Sequence, residues 1–290
     1  MDVSDLRMFE SVARLGSMKR AAEQLNTVQS NVTARIRALE EDLGVALFHR
    51  HARGVTATQA GRRMLPFAGR MVKLLADARA AAKDDGAPNG LLHIGSLETT
   101  TALRLAPLLS RFTLAYPEVR LIVTTGTTAG LVTDILDYRL DGAFVAGPVD
   151  HPDLHGQVVF SEELVLVTPP SVSCLKALTL NGELRTIVFR LGCSYRQRLE
   201  NLLGGMGIAN ARPLELGSLD AIIACVEAGV GVTLLPRGVV STAVQAGRVA
   251  SHTLPGAEAH AETIFIRRTD TYLSSAMKAF LAMYEAPAGS

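Results

Sequence analysis

The first 50 residues carry three successive apolar stripes at helical spacing. The stripes are Leu6, Phe9 and Ala13; Met18, Ala21, Ala22 and Leu25; and Val32, Ile36, Leu39 and Leu43. Gly16 and Ser17 separate the first two stripes, and Ser17 has the side chain of an N-cap. Asn26 and Thr27 mark a turn before the third stripe, and Gly44 ends it. The pattern therefore predicts two short helices, a tight turn and a longer third helix.

This order of elements is the outline of a helix-turn-helix. Leu47 and Phe48 follow the third helix, and residues 49–56 form a polar stretch with basic groups and a central Gly54. A short polar stretch with a glycine suits a β-hairpin. The sequence thus predicts a winged helix-turn-helix.

A long amphipathic helix is predicted from Thr58 onward. Its apolar residues repeat at alternating steps of three and four, as in a heptad seam. They are Met64, Phe67, Met71, Leu74, Ala78 and Ala81. The seam indicates dimerisation, although a helix packed on its own domain would show the same pattern. Pro66 is expected to bend this helix, and the turn-rich residues 84–90 mark a domain boundary.

Beyond residue 90, short apolar strands alternate with helices. The predicted strands are residues 91–96, 119–125, 142–147, 163–168, 186–190, 213–217, 232–236 and 262–268. One helix is predicted to follow the first strand and end at about residue 114. Further helices are predicted over about residues 129–137, 194–203, 219–228 and 273–284. Such alternation predicts an α/β fold with largely parallel sheets, and the two sets of elements predict two facing lobes.

Composition and charge agree with a two-part chain. The chain has 290 residues, of which 48% are hydrophobic and 20% charged, enough to build separate cores. Residues 1–86 hold 14 Lys/Arg and 10 Asp/Glu, whereas residues 87–290 hold 15 and 18. This basic excess at the N-terminal end permits nucleic-acid binding, although a solvated, slightly basic surface explains it equally well.

The sequence has no apolar run long enough to cross a bilayer. Its first residues are acidic and amphipathic, without the basic start and apolar centre of a signal peptide. Cys174, Cys193 and Cys225 are widely spaced, which suits reduced thiols and provides no metal motif. We therefore expect a cytoplasmic protein with no membrane partner, no metal and no cofactor.

Two stretches of the N-terminal part resemble a known protein family. Residues 21–50, AAEQLNTVQSNVTARIRALEEDLGVALFHR, resemble the DNA-binding domain of LysR-type transcriptional regulators. RGVTATQAG at residues 53–61 is similar to the family's wing and linker-helix entry, and the layout of the chain also fits, including Ala-Gly-Val-Gly-Val at 228–232.

The resemblance implies three parts. These are a winged helix-turn-helix at residues 1–58, a linker and dimerisation helix at 59–86, and an effector-binding domain at 87–290. The last resembles a periplasmic binding protein, with lobe 1 at about 87–161 and 263–290 and lobe 2 at about 162–262. The implied partners are double-stranded promoter DNA, a small-molecule effector and further copies of the chain, as a homodimer or a homotetramer.

This sequence departs from the family pattern around the third helix. Val28 stands where the family commonly has Ser, so Thr27 becomes the candidate N-cap. Ser30 and Asn31 replace the more usual Pro and Ala, and Gln59 stands where Pro is common. These departures make base specificity hard to transfer from relatives.

The polar residues of the third helix are the candidate DNA contacts. They are Gln29, Ser30, Asn31, Thr33 and Arg35, which lie off the apolar stripe. Gln and Asn can pair with adenine and Arg with guanine, whereas Ser and Thr more often hold phosphates. We expect Gln29, Ser30 and Thr33 to make first contacts, the alternative being a merely solvated helix face.

Two wing arginines are further candidates for DNA contact. Arg50 and Arg53 are expected to reach phosphate or the minor groove. Arg50 has a structural alternative, since it could instead pair with a carboxylate inside the domain. Phosphate contacts displace counterions, so binding is expected to depend strongly on salt.

Hydroxyl residues follow several of the predicted strands of the effector domain. Ligands of open α/β sheets bind at the carboxyl ends of strands, where helix N-termini offer free N–H groups. The candidate effector residues are Ser96, Thr99, Thr100, Thr127, Ser194, Tyr195 and Arg196. They suit a small polar ligand with a carboxylate, which Arg196 would bind by a charge-assisted bond. The alternative is that the hydroxyls are ordinary helix caps.

Three other functions are weighed against effector binding. Cys193 lies near a helix N-terminus and Arg196, so redox sensing through Cys193 is the alternative within the same class. The sequence has no nucleophile elbow, P-loop or GxGxxG after a first strand, so we do not expect an enzyme. A DNA binder without a sensor would not need the 200-residue α/β remainder.

Overall fold

We describe a computed structural model of the chain, over residues 1–51, 54–172, 184–208, 211–256 and 259–285. The chain divides into two compact units. Unit 1 comprises Met1–Asp85 together with Asp137–Arg139, and unit 2 comprises Gly86–Leu136 and Leu140–Ser290. Within the described residues, none of the helices has the length and apolar character that a membrane crossing needs.

Three helices open unit 1. They are α1 (Val3–Leu15), α2 (Met18–Gln24) and α3 (Gln29–Leu43). Asp2 and Asp5 form a capping box at the start of α1, and Ser17 caps α2 by accepting a hydrogen bond from Arg20 N. Gly16 and Gly44 end α1 and α3 with φ of 63° and 68°, a left-handed conformation that glycine adopts without strain. The predicted helix boundaries are confirmed.

A hairpin and a long helix complete unit 1. Strands β1 (Phe48–His51) and β2 (Gly54–Ala57) pair antiparallel, and α4 (Gln59–Lys83) follows. The Thr58 hydroxyl accepts from Gly61 N and donates to Ala46 O, which joins the start of α4 to the segment that follows α3. Phe9, Val32, Ile36 and Leu39 form the centre of the core beneath these elements.

Two details of unit 1 differ from the predictions. Thr27 does not cap α3: Val28 occupies the N-cap position without a side-chain bond, and the Thr27 hydroxyl accepts from the Asn31 amide at 3.0 Å. Leu43 ends the predicted stripe but is exposed, since the chain turns away at Gly44. Helix α4 continues across Pro66, and the bend expected there stays a prediction.

Lobe 1 of unit 2 is built on parallel strands. Strands β3 (Gly90–Ser96), β4 (Val119–Thr125) and β5 (Gly142–Ala146) pair parallel, with β3 in the middle. Helix α5 (Glu98–Thr100) continues through a π turn (Thr101–Leu105) into α6 (Ala106–Ala115). Helices α7 (Thr128–Leu136) and α11 (Ser275–Glu285) also belong to this lobe. Phe112, Phe144, Phe265 and Phe280 fill its core.

Lobe 2 is joined to lobe 1 by two long strands. Strand β6 (Leu154–Thr168) pairs with β11 (His260–Arg268) and then continues into lobe 2, where it pairs with β9 (Thr233–Pro236) and β10 (Ala250–Thr253). The rest of lobe 2 consists of β7 (Arg185–Val188), β8 (Arg212–Glu215), α8 (Ser194–Gly205), α9 (Leu219–Glu227) and α10 (Arg237–Gln245). Strands β7 and β8 pair parallel.

The sheets contain more antiparallel pairing than predicted. The joining strands β6 and β11 run against each other, and β6 also pairs antiparallel with β9 and β10. Strand β6 begins nine residues before the predicted segment, and both α10 and β10 were missed. The first half of β6 is largely exposed, so it lacks the apolar run that marks a buried strand.

Candidate functional site

The N-terminal end of α3 presents polar side chains on the surface of unit 1. Gln29, Ser30 and Asn31 are exposed and Thr33 is half-buried. At roughly 100° per residue, Gln29, Ser30 and Thr33 lie within one arc of roughly 100° that borders the line of the buried Val32 and Ile36, and Gln29 is exposed because it stands in the first turn, ahead of that buried line. These three uncharged side chains therefore form a continuous polar face, which we call the α3 face.

Arg35 lies on a different side of α3. It is at least roughly 120° from the α3 face by helical geometry. Its Nη1 donates to Asp5 Oδ1 at 2.6 Å and to Asp2 Oδ2 at 3.1 Å. These hydrogen bonds, that from Asp5 first, raise the pKa of Arg35. Arg35 thus ties α3 to the capped start of α1.

Glu40 organises the entry to the hairpin. Its Oε1 accepts from the backbone N–H groups of Leu47 and Phe48 at 2.8 and 3.1 Å, and its Oε2 lies 3.5 Å from Arg50 Nη2. Sequence reasoning anticipated a carboxylate partner for Arg50 but did not single out Glu40. Arg50 remains exposed on β1, whereas Arg53 lies outside the described residues.

Part of the predicted seam of α4 faces outward from unit 1. Phe67, Met71 and Leu74 are exposed by 69%, 44% and 64%, which is unusual for large apolar side chains. Phe67 and Met71 also line an apolar groove of about 390 Å³ with Leu43 and Val45. The outward part of the seam is therefore an uncovered apolar surface.

A cavity of about 350 Å³ lies between the two lobes of unit 2. Its polar lining residues are Glu98, Thr99, Thr125, Thr127, Arg190, Ser194 and Tyr195. They come from the last residue of β4 and from the segments that follow β3, β4 and β7, and Gly217 follows β8. The carboxyl ends of parallel strands meet at one edge of a sheet, which is why residues so distant in sequence converge here.

Two hydrogen bonds cross the cavity from lobe to lobe. The hydroxyl of Tyr195 bonds to Thr99, and burial raises the pKa of Tyr195 to about 12. Glu98 Oε1 accepts from Leu219 N at 2.7 Å, in the first turn of α9. The lobes are therefore held around the cavity by contacts made within its wall.

The predicted effector residues separate into two groups. Thr99, Thr127, Ser194 and Tyr195 line the cavity. Among the described residues, its lining does not include Ser96, Thr100 or Arg196. Ser96 is fully buried and donates to Leu97 O, and Arg196 pairs with Glu200 and Glu215 at 3.0 and 2.6 Å.

Two charged residues of the cavity were not among the predicted ones. Arg190 ends the predicted strand at 186–190, and Glu98 lies between the predicted hydroxyl residues. The signal was present, because a charged residue directly after an apolar strand is a ligand candidate in this fold. Sequence reasoning chose Arg196 instead for its place beside Ser194 and Tyr195.

Cys193 also lines the cavity, at the N-cap position of α8. Burial raises the pKa of its thiol, and backbone hydrogen bonds from Arg196 and Tyr195 oppose that rise. A raised pKa lowers the thiolate fraction at neutral pH, and the thiolate is the reactive form.

Comparisons with known proteins agree with both units. Residues 3–62 match the profile of the bacterial regulatory helix-turn-helix protein of the lysR family, and residues 85–287 match the LysR substrate binding domain. The chain is 42% identical over 281 residues to the HTH-type transcriptional regulator GltR of Bacillus subtilis (strain 168), covering 97% of this chain and 95% of GltR. It is 39% identical over 285 residues to the HTH-type transcriptional regulator CzcR of Bacillus cereus, covering 98% of this chain and 97% of CzcR.

Solved structures show the same fold. Full-length OxyR from Pseudomonas aeruginosa superposes with a TM-score of 0.73 at 19% identity, over 99% of this chain and 95% of OxyR. Full-length CbnR complexed with its target DNA superposes with a TM-score of 0.64 at 25% identity, over 98% of this chain and 99% of CbnR.

The chain belongs to the LysR family of DNA-binding transcriptional regulators with an effector-binding domain. The predicted architecture, a winged helix-turn-helix followed by a two-lobed α/β domain, is confirmed. The prediction that the chain is not an enzyme is confirmed as well, because its family and relatives are transcriptional regulators.

Proposed function

We propose that the α3 face reads base edges in the major groove of promoter DNA, and that a small carboxylate effector in the cavity modulates this binding. The observation that carries the first part is the exposure of Gln29 and Ser30 at the N-terminal end of α3. A recognition helix presents this end to the bases. CbnR, at 25% identity, has been solved with its target DNA, which supports the same use of α3 here.

Within this proposal, base reading and positioning fall to different residues. Gln29 can pair bidentately with adenine, while Ser30, Asn31 and Thr33 have the hydroxyl or amide groups that hold bases or phosphates. Arg50 on β1 is proposed to contact the DNA backbone, and Arg53, which lies outside the described residues, keeps the same expected role. Arg35 is assigned a supporting role, because its guanidinium already binds Asp2 and Asp5.

The test of DNA reading needs no known promoter. Duplexes selected from a random-sequence library by the full chain define a consensus, and fluorescence anisotropy then measures affinity at fixed salt. Gln29→Ala should lose about tenfold to a hundredfold in affinity for the consensus, while the exposed Gln245→Ala on α10 should bind normally. Equal loss on consensus and scrambled duplexes would contradict base reading by Gln29.

A second copy of the chain is the proposed partner of the exposed α4 seam. Phe67, Met71 and Leu74 continue the heptad spacing and lie uncovered in unit 1, as expected of a coiled-coil-like contact. Sedimentation equilibrium should show a dimer or tetramer for the wild type and a smaller species for Leu74→Glu. Ala80→Glu, at an exposed position outside the seam, is the control and should keep the oligomeric state of the wild type.

The proposed parts of the chain follow the helices and the joining strands. The start of α4 at Gln59 and the unit boundary after Asp85 support the division into 1–58, 59–86 and 87–290. Strand β6 exchanges β11 for β9 as its partner between Glu163 and Leu164, which supports the lobe boundary near residue 162.

The carboxylate effector is assigned to Arg190 rather than Arg196. Arg190 lines the cavity, and its guanidinium has no hydrogen bond or ion pair within the part of the chain that the structure describes. Arg196 is held by two glutamates away from the lining. An arginine without an internal partner is the group best placed to form a charge-assisted bond with a carboxylate.

A thermal-shift screen of the full chain tests this assignment. A ligand that binds the native state must raise the melting temperature. We expect a small carboxylate to stabilise the wild type and the exposed Arg111→Gln variant, but not Arg190→Gln. A carboxylate that stabilises Arg190→Gln as well as the wild type would remove Arg190 from the site.

Redox sensing through Cys193 is the second candidate. Its position in the cavity wall favours it, while its raised pKa disfavours it, because less thiolate is present to react with an oxidant. Oxidant should leave the melting temperature and DNA affinity unchanged under the effector proposal. A change with oxidant that disappears in Cys193→Ser would favour redox sensing instead.

A further inference from the structure

We propose that the effector is a zwitterion, with its carboxylate at Arg190 and a protonated amine at Glu98. The inference rests on the proposed effector role of the cavity and adds a second charge to the ligand. The chemical class is an amino acid, or a metabolite with the same pair of charges.

The lining of the cavity carries one charge of each sign. Glu98 and Arg190 are the charged residues of the lining that the structure describes. Glu98 comes from lobe 1 and Arg190 from lobe 2, and the Glu98 carboxylate reaches across to Leu219 N in lobe 2. A Cβ atom built on Gly217 would lie 3.3 Å from Arg190 Nη2, which places the guanidinium beside the segment that leads into α9.

Glu98 already occupies the start of α9. Its Oε1 accepts from Leu219 N at 2.7 Å. A helix N-terminus would otherwise attract the anionic group of a ligand, but here the protein supplies its own carboxylate. The ligand carboxylate is therefore directed to Arg190.

The remaining acceptor capacity of Glu98 favours a cationic donor. An ionised carboxylate can accept about four hydrogen bonds, and the Leu219 N–H uses one. A ligand bearing only negative charge would add like charge beside Glu98 in a partly enclosed site, which is unfavourable. A protonated amine in the same place forms a charge-assisted bond instead.

The other polar groups fit either end of such a ligand. The hydroxyls of Thr125, Thr127 and Ser194 line the cavity and can donate or accept. The volume of about 350 Å³ lies at the lower end of the range for small-ligand sites. A ligand of amino-acid size is therefore suited to it.

Isothermal titration calorimetry on the full chain tests the proposal. The probes are the 20 proteinogenic amino acids, each with its deaminated acid and its decarboxylated amine. We expect at least one amino acid to bind with a Kd at least tenfold lower than those of both counterparts. Glu98→Gln retains an amide oxygen for Leu219 N, and it should reduce the preference over the deaminated acid by about tenfold. Glu118→Gln, at an exposed position outside the cavity, should retain the preference.

The outcomes separate this inference from the carboxylate proposal. A deaminated acid that binds as tightly as its amino acid would overturn the zwitterion and leave the carboxylate proposal standing. An amino-acid preference that survives in Glu98→Gln would overturn the role of Glu98. Binding by no member of the panel, in a chain that melts cooperatively, would overturn the zwitterion, while the thermal-shift screen with other carboxylates decides the carboxylate proposal separately. Unchanged circular dichroism of Glu98→Gln shows that any loss is not one of folding.

Discussion

The α3 face and the cavity of unit 2 use charged residues in opposite ways. Around α3, charged groups hold the protein together: Arg35 binds Asp2 and Asp5, and Glu40 holds two backbone N–H groups. The residues of the α3 face itself are uncharged. In the cavity the hydroxyl of Tyr195 is bound internally, whereas the guanidinium of Arg190 has no such partner in the described structure. An arginine near a surface is thus available for a ligand carboxylate where the fold has not already paired its guanidinium.

The largest expected effect comes from removing an internal carboxylate of unit 1. Glu40→Ala would leave the buried N–H groups of Leu47 and Phe48 without their acceptor. Each unsatisfied buried group costs about 1–3 kcal/mol, so we expect unfolding to become easier by about 2–4 kcal/mol. Urea denaturation measures this change, with exposed Glu41→Ala as the control. Equal midpoints for both variants would show that Glu40 is not part of the fold's support.

The next effect concerns the uncharged residues that the fold has left free. Gln29→Ala should weaken binding to the selected DNA by about 1–3 kcal/mol with no change in melting temperature. Arg35→Gln should do the reverse, lowering stability only slightly because its ion pairs are partly exposed, and leaving the selected consensus unchanged. An altered consensus for Arg35→Gln would break the comparison, since it would mean that an internally paired arginine still reads bases.

The elements of unit 1 could be predicted closely from sequence because their signals are local. The apolar stripe of α3, the glycine at position 44 and the cap at Ser17 each act within one or two turns. The available face of α3 followed from the same spacing. The pairing of Arg35 could not be predicted, because Asp2 and Asp5 lie about 30 residues away and reach it only after α1 packs on α3.

The cavity was only partly predictable for a related reason. The hydroxyls Thr99, Thr127, Ser194 and Tyr195 follow strands, and that position alone places them at the correct edge of a sheet. Arg190 and Arg196 both follow β7, so sequence position does not separate them. Only the fold shows that Glu215 draws Arg196 away from the cavity while Arg190 stays in its wall.

A smaller effect is expected at the internal hydroxyl of the cavity. Tyr195→Phe removes its bond to Thr99, which should lower stability by about 1 kcal/mol at neutral pH. The folded pKa of about 12 exceeds the unfolded value of 10, so the neutral form stabilises the fold. That contribution is complete below about pH 10 and is lost as pH rises toward 12.

Urea denaturation at pH 9 and pH 11 measures this dependence. The wild type should lose about 1 kcal/mol more than Tyr195→Phe between the two values, while the exposed Tyr272→Phe should follow the wild type. Parallel losses in wild type and Tyr195→Phe would show that the tyrosine does not titrate above its ordinary range.

The smallest expected effect concerns Val28, the N-cap of α3, and tests whether this residue lowers the stability of the fold in exchange for DNA binding. Val28 is the N-cap of α3, makes no side-chain cap bond and is 63% exposed. Ser at this position can accept from the first free N–H groups of α3, so Val28→Ser should raise stability by about 0.5–1 kcal/mol. An exposed valine beside Gln29 can instead contact the methyl group of thymine.

We therefore expect Val28→Ser to be more stable and less selective for thymine next to the base that Gln29 reads. Denaturation and selection from a random duplex library measure the two changes on the same variant, with Val158→Ser, exposed on β6, as the control for selection. A gain in stability with an unchanged consensus would mean that Val28 is only a poor cap, because a residue that reads bases cannot be replaced without altering the sequence that is selected.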